Sequence, residues 1–131
     1  MKRTPVNPWD WSMKWGYNQA ELLEGQTRQL VCAGQTSCDA EGTPQHPGDM
    51  AAQLNAALDN LEAVLAGADM TLANIVRLNY YTTDVDTFLV NAGVLGERLG
   101  AAGVMPPGTL LGVSRLAFPD LLVELEATAS D

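Results

Sequence analysis

Positive charge is scarce in this chain: seven Lys plus Arg stand against sixteen Asp plus Glu, a formal net charge of −9. A polyanion would be repelled by such a surface, so neither nucleic acid nor an anionic membrane is expected as a partner. Histidine is scarcer still, with His46 alone, and the two cysteines are Cys32 and Cys38. No metal centre is expected from so few scattered ligands. The opening Met1-Lys2-Arg3-Thr4-Pro5 is followed by no apolar stretch of the kind that makes a secretory signal, and no run is long enough to span a bilayer. Cytoplasmic residence with free thiols is therefore the expectation. What is present is a globular composition, 131 residues with 47% apolar, which fits one domain over the whole length.

Residues 1–14 hold Pro5, Pro8, Trp9 and Trp11 with little periodicity and read as an irregular arm. Trp15 to Leu23 and Arg28 to Gly34 read as strands flanking the turn-forming Glu24-Gly25-Gln26. Asp39 to Gly48 is rich in Gly and Pro and reads as a loop. A helix then starts near Pro47 to Met50, where Asp49 suits the positive end of the dipole. Met50, Leu54, Leu58, Leu61 and Leu65 make its apolar stripe, with Gln53, Asn60 and Glu62 opposite. Over Asn74 to Thr83 the period becomes two, with Val76, Leu78 and Tyr80 on one side and Arg77, Asn79 and Tyr81 on the other. Asp84 or Asp86 can cap a second helix striped by Phe88, Ala92, Leu95 and Leu99. Thr109 to Leu116 and Leu121 to Ala129 complete a β-β-α-β-α-β-β order, an α+β class of fold. Two helices cover one face of a sheet, so the other face is expected to meet partner subunits.

Several pieces of sequence, in order, carry a resemblance. Ala33-Gly34-Gln35 is similar to a Ser-Gly-Gln signature, Gln53 and Ala57 to Leu65 to a first helix, and Ile75 to Asp84 to the following strand and turn. Val123-Glu124-Leu125-Glu126-Ala127 is similar to a closing Val-Glu-Ile-Glu-Ala strand. Together, from about Tyr17 to the end, the chain resembles the RidA (YjgF) reactive-intermediate deaminase family. That resemblance implies a homotrimer of chorismate-mutase-like subunits around a barrel-like centre, with small-molecule clefts between subunits. It implies hydrolysis of enamines and imines such as 2-aminoacrylate to ketoacids and ammonia, with no metal or organic cofactor. Carried over by position, Glu124 orients the catalytic water. Tyr17, Gly34, Gln35, Asn91, Thr109 and Leu110 fall among the substrate-binding positions, as does Gly108. The family's Pro-Ala-Arg-Ser/Thr motif reads Pro106-Pro107-Gly108-Thr109 here, so glycine stands where an arginine clamps the substrate carboxylate.

The chemistry divides on that glycine. A guanidinium grips a carboxylate through two parallel charge-assisted bonds, which no neutral side chain reproduces. Arg115 lies at an odd offset from position 108 and in a regular strand would leave on the opposite face; Arg77 is also remote in register. Glu124 can orient a water or act as general base if burial raises its pKa, or can be a plain solvated strand residue. Tyr17 can bond a ligand or the Glu124 carboxylate, or only pack at a subunit edge. Cys32 reads as a small core residue rather than a nucleophile. The tryptophans either anchor the arm on a neighbour or wall the cleft. Two functions follow: an imine or enamine deaminase that does not take 2-aminoacrylate in the usual way, or a noncatalytic small-molecule-binding or chaperone-like trimer. If the glycine merely leaves the cleft open, Gly108→Arg is expected to raise activity.

Overall fold

The computed structural model describes all 131 residues. The chain runs β1 (Lys2–Val6), a 3-10 turn (Met13–Trp15), β2 (Ala20–Glu24), β3 (Gln29–Val31), β4 (Gln35–Thr36), α1 (Met50–Ala66) and a second 3-10 turn (Leu72–Asn74). It continues through β5 (Ile75–Thr82), α2 (Val85–Asn91), α3 (Gly93–Ala101), β6 (Leu110–Gly112) and β7 (Val123–Ser130). Strand β7 organises the sheet. It pairs antiparallel with β5 on one side and with both β3 and β4 on the other, while β5 pairs parallel with β6. The α+β class is as the sequence indicates.

The alternation along β7 separates two faces. Val123, Leu125, Ala127 and Ala129 are buried against α1, whereas Glu124, Glu126 and Thr128 are half-buried on the face that no helix covers. Leu54, Leu58, Leu61 and Leu65 of α1 are fully buried in the same core. Asp49 caps that helix, its side chain accepting from the Ala52 N–H, as expected for a short carboxylate at the N-terminus. Asp84 caps α2 in the same way through the Thr87 N–H.

Six details depart from the sequence reading. Residues 2–6 are not irregular: β1 pairs with β2 from Lys2↔Glu24 to Val6↔Ala20. The hairpin is pinned by Arg3, which bonds the Glu21 carboxylate at 2.6 Å and the carbonyls of Ala73 and Ile75 at 2.8 Å each. Partners some seventy residues away leave no local pattern, and Pro5 is tolerable because β1 is an edge strand. The second expected strand, Arg28 to Gly34, forms only over β3, with β4 a separate short strand just beyond it, and the second helix breaks at Ala92 into α2 and α3, although Phe88, Leu95 and Leu99 still share the core. A bulge between Ile75 and Arg77 takes Val76 out of the main core and puts Ile75 there in its place, beside Leu78 and Tyr80 as expected. The sixth strand stops at Gly112, so strand parity says nothing about Arg115.

The sixth departure is Gln53, which lies not on a solvent face but fully buried. Its amide donates to the carbonyls of His46 at 3.1 Å and Asp120 at 2.8 Å, and its carbonyl accepts from the Leu122 N–H at 2.8 Å. It ties α1 to the loop entering β7. Asn60 does similar work by donating to the carbonyls of Thr36 and Cys38. Removing the Gln53 amide orphans two carbonyls and one N–H in the interior, so Gln53→Ala is expected to lose on the order of 3 kcal/mol of stability in urea unfolding.

Candidate functional site

The residues singled out from the sequence fall into two groups on opposite sides of the sheet. The first surrounds a cavity of about 350 Å³ between the N-terminal segment and the α2–α3 pair. Tyr17, Gly108 and Leu110 line it, together with Trp11, Trp15, Tyr80, Phe88, Leu89, Leu95 and Leu99. Trp11 meets Tyr17 edge to face with ring centroids 6.2 Å apart, and Tyr80 lies tilted on Phe88 at 5.7 Å. Such pairs fix ring positions beyond what area burial alone supplies. Trp11 and Trp15 therefore wall a cavity within the chain; Trp9 is exposed and does not line it. Burial pushes the Tyr80 hydroxyl up to about 12, a sign of how little polarity surrounds it.

The second group lies on the open face of the sheet. Glu124 pairs with Thr36 on one side and Tyr81 on the other, so the three stand in a row with Leu111. Its carboxylate crosses directly over Gly34: a Cβ at position 34 would sit 1.9 Å from Glu124 Oε1. Gln35 pairs with Leu125, one position out of step with Glu124, and its amide turns back to the Ala33 carbonyl at 3.3 Å. The next row holds an interaction that sequence alone did not single out. Glu126 Oε1 accepts from Asn79 Nδ2 at 3.1 Å and from the Tyr81 hydroxyl at 2.9 Å. The other end of the Asn79 amide accepts from the Thr109 N–H at 3.1 Å. The period-two alternation already puts Asn79 with Tyr81 and Glu124 with Glu126, so the signal was present; what it lacked was the register between the strands.

Within one chain the two groups do not meet. Glu124, Gly34 and Gln35 do not line the cavity, and no hydrogen bond joins Tyr17 to Glu124. Asn91 ends α2 with its amide donating to the Thr87 carbonyl at 2.8 Å, outside the cavity lining. Arg115 donates to the neighbouring Leu116 carbonyl, and Arg77 is exposed on the open face. Neither arginine lines the cavity.

Gly108 is not an empty place. A Cβ there would lie 1.7 Å from the Leu78 carbonyl oxygen and 2.7 Å from its carbon. The segment is docked on β5 by the Leu78 N–H to the Pro107 carbonyl at 3.2 Å and the Tyr80 N–H to the Thr109 carbonyl at 2.9 Å. A side chain at position 108 therefore requires the backbone to shift: a carbonyl, not open space, occupies the position a Cβ needs.

These residues sit in a recognisable context. The family model described as Endoribonuclease L-PSP matches residues 13–131. The chain belongs to that family, the RidA (YjgF) family. This RidA-family chain is 29% identical to the 2-iminobutanoate/2-iminopropanoate deaminase of Escherichia coli K12 over 101 residues, 76% of this chain and 77% of that protein. It is 27% identical over 133 residues to the mitochondrial protein mmf2 of Schizosaccharomyces pombe, covering 100% of both. A solved structure from Yersinia pestis, a protein of unknown function of the conserved Rid family, superposes with a TM-score of 0.84 at 34% identity, over 99% of each chain. The match to that RidA-family structure includes the length occupied by β1, so the strand that sequence reading missed lies within a shared architecture.

Two outcomes test this geometry. Gly108→Ala drives a Cβ into backbone and is expected to cost about 3 kcal/mol or more in denaturant unfolding, with Gly108→Arg no more stable and no more active. Gly34→Ala meets only the flexible end of Glu124 and should lose no more than about 1 kcal/mol while displacing that carboxylate. Separately, the hydrogen bonds from Asn79 and then Tyr81 hold the Glu126 carboxyl below its ordinary 4.5. A depressed carboxyl stabilises the fold above the ordinary value and loses that contribution as pH falls through the folded one. Carboxyl NMR titration of Asn79→Ala is expected to show the Glu126 value moving up.

Proposed function

We propose that this RidA-family protein works as a homotrimer in which the cavity of one subunit faces the Gly34–Glu124 edge of the next, and that the resulting cleft hydrolyses an imine or enamine. Proteins of this family are commonly homotrimers. The observation that carries the reading is the division just described: a ligand-sized cavity and a half-buried carboxylate lie on opposite sides of one sheet, so that one chain alone does not bring them together. Glu124, laid over a glycine that leaves it room, accepts a proton from a water as the oxygen adds to the carbon of the C=N bond. The proton passes to nitrogen, the tetrahedral carbinolamine collapses to a carbonyl, and ammonia leaves. No metal or organic cofactor enters this sequence of steps. The kinship with the deaminase of Escherichia coli supports the reaction class.

The usual amino-acrylate substrate does not fit this reading. Its carboxylate needs a cation beside position 108, and Gly108 is held against β5 without one. The same observation favours a second reading, a noncatalytic small-molecule-binding or chaperone-like trimer. The −9 chain charge argues against extending the ribonuclease label of the family to RNA, since assembly multiplies that repulsion.

Ammonia release from a panel of neutral and acidic imines decides between the readings. Turnover of at least one neutral imine is expected, falling about a hundredfold or more in Glu124→Gln, as for loss of a general base. The 2-aminoacrylate decay rate is expected to match that without protein. No turnover of any imine sinks the enzymatic reading and leaves the binding one.

A further inference from the structure

The cavity beside Gly108 differs in kind from a site for an acid. None of its lining residues is charged, and the hydrogen-bonding groups on its walls are the neutral hydroxyls of Tyr17 and Tyr80 and the indole N–H groups. Its volume of about 350 Å³ falls within the range of small-molecule pockets, roughly 300–1,000 Å³. Within a single subunit Trp11 and Trp15 leave about half or more of their surface uncovered, 52% and 69%, although they wall a concave space. Apolar surface left wet around a concavity is what a ligand of matching character removes from water.

We infer that this cavity receives an uncharged, ring-sized apolar group, so that the substrate of the site is a neutral imine rather than an imino acid. The inference rests on the proposed hydrolysis for what is converted, but not for what is bound. Trp11 and Trp15 are the exposed part of the lining, and the buried Phe88 and Leu95, with the half-buried Tyr80, form its inner side. A carboxylate placed there loses its hydration and gains no ion pair, a cost that a neutral group avoids. Gly108 keeps the floor bare: it presents no side chain, and the Leu78 carbonyl stands where a Cβ would go. Lys14 is the one cation recorded beside these rings. Its Nζ lies 5.5 Å from the Trp15 centroid, and it does not line the cavity. The reaction balances simply: the neutral imine and one water give the corresponding aldehyde or ketone and one ammonia, with no oxidant or reductant.

Fluorine NMR titration of the full-length protein tests the binding directly, using 4-fluoroacetophenone, the product type expected, against 4-fluorobenzoate, a similar ring bearing a carboxylate. The ketone is expected to bind at least about tenfold more tightly than the benzoate. Trp15→Ala, an exposed position where folding is not at stake, should weaken the ketone about threefold to tenfold. Glu124→Gln should leave ketone affinity unchanged while removing turnover, so a loss of activity with retained binding touches only the reaction and not the cavity. Equal or tighter binding of benzoate overturns the inference, and its loss in Lys14→Ala would identify the cation responsible. Ketone binding that ignores Trp15→Ala overturns it too. So does the absence of saturable binding by either probe, the result expected if a neighbouring copy fills the cavity.

Discussion

The backbone of residues 107–109 lies so close to β5 that any side chain at its centre would have to displace the Leu78 carbonyl, and the character of the site follows from this contact. The same contact starts the parallel pairing of β5 with β6, because Thr109 hands the chain into register at Tyr80↔Leu110. Asn79 reinforces it from the open face, holding the Thr109 N–H with one end of its amide and Glu126 with the other. A single amide therefore couples the floor of the apolar cavity to a carboxylate on the far side of the sheet. Electrostatics and packing divide along that line. Ionised groups gather on the open face, while the helix-covered side stays neutral and apolar around Tyr80.

Two tethers hold this arrangement from a distance. Gln53 fixes the entry to β7 and hence the register that puts Glu124 over Gly34. Arg3 fixes the β1–β2 hairpin against Ile75, and the chain between those strands carries Trp11 and Trp15 to the cavity mouth. Both use buried or half-buried hydrogen bonds to main-chain carbonyls, which are costly to leave unmade and so specify one geometry. Stability and function are thus linked through the same few polar contacts.

The sequence made some of this legible and hid the rest for identifiable reasons. The α1 stripe and the β7 alternation are strong periodic signals backed by capping residues, and both are observed. Glu124, Gly34 and Tyr17 could be picked out because they stand in recognisable motifs. Strand β1 was hidden because its stabilising partners are remote, and Val76 was misassigned because one bulge reverses a period-two pattern. Gln53 looked solvated because a polar residue on a helix betrays nothing about buried carbonyls that will meet it. Gly108 was the most instructive position: its identity announced a missing guanidinium, yet only the structure revealed that a carbonyl from β5 fills the space.

A crystal structure of the assembled protein bears most directly on the account. It should show three copies, the Tyr17–Gly108 cavity of one facing the Gly34–Glu124 edge of another. No arginine or lysine nitrogen should lie within about 4 Å of the cavity interior, the range of an ion pair. A guanidinium from Arg77 or Arg115 of any subunit inside the cavity, or residues 107–109 standing away from β5, would contradict it.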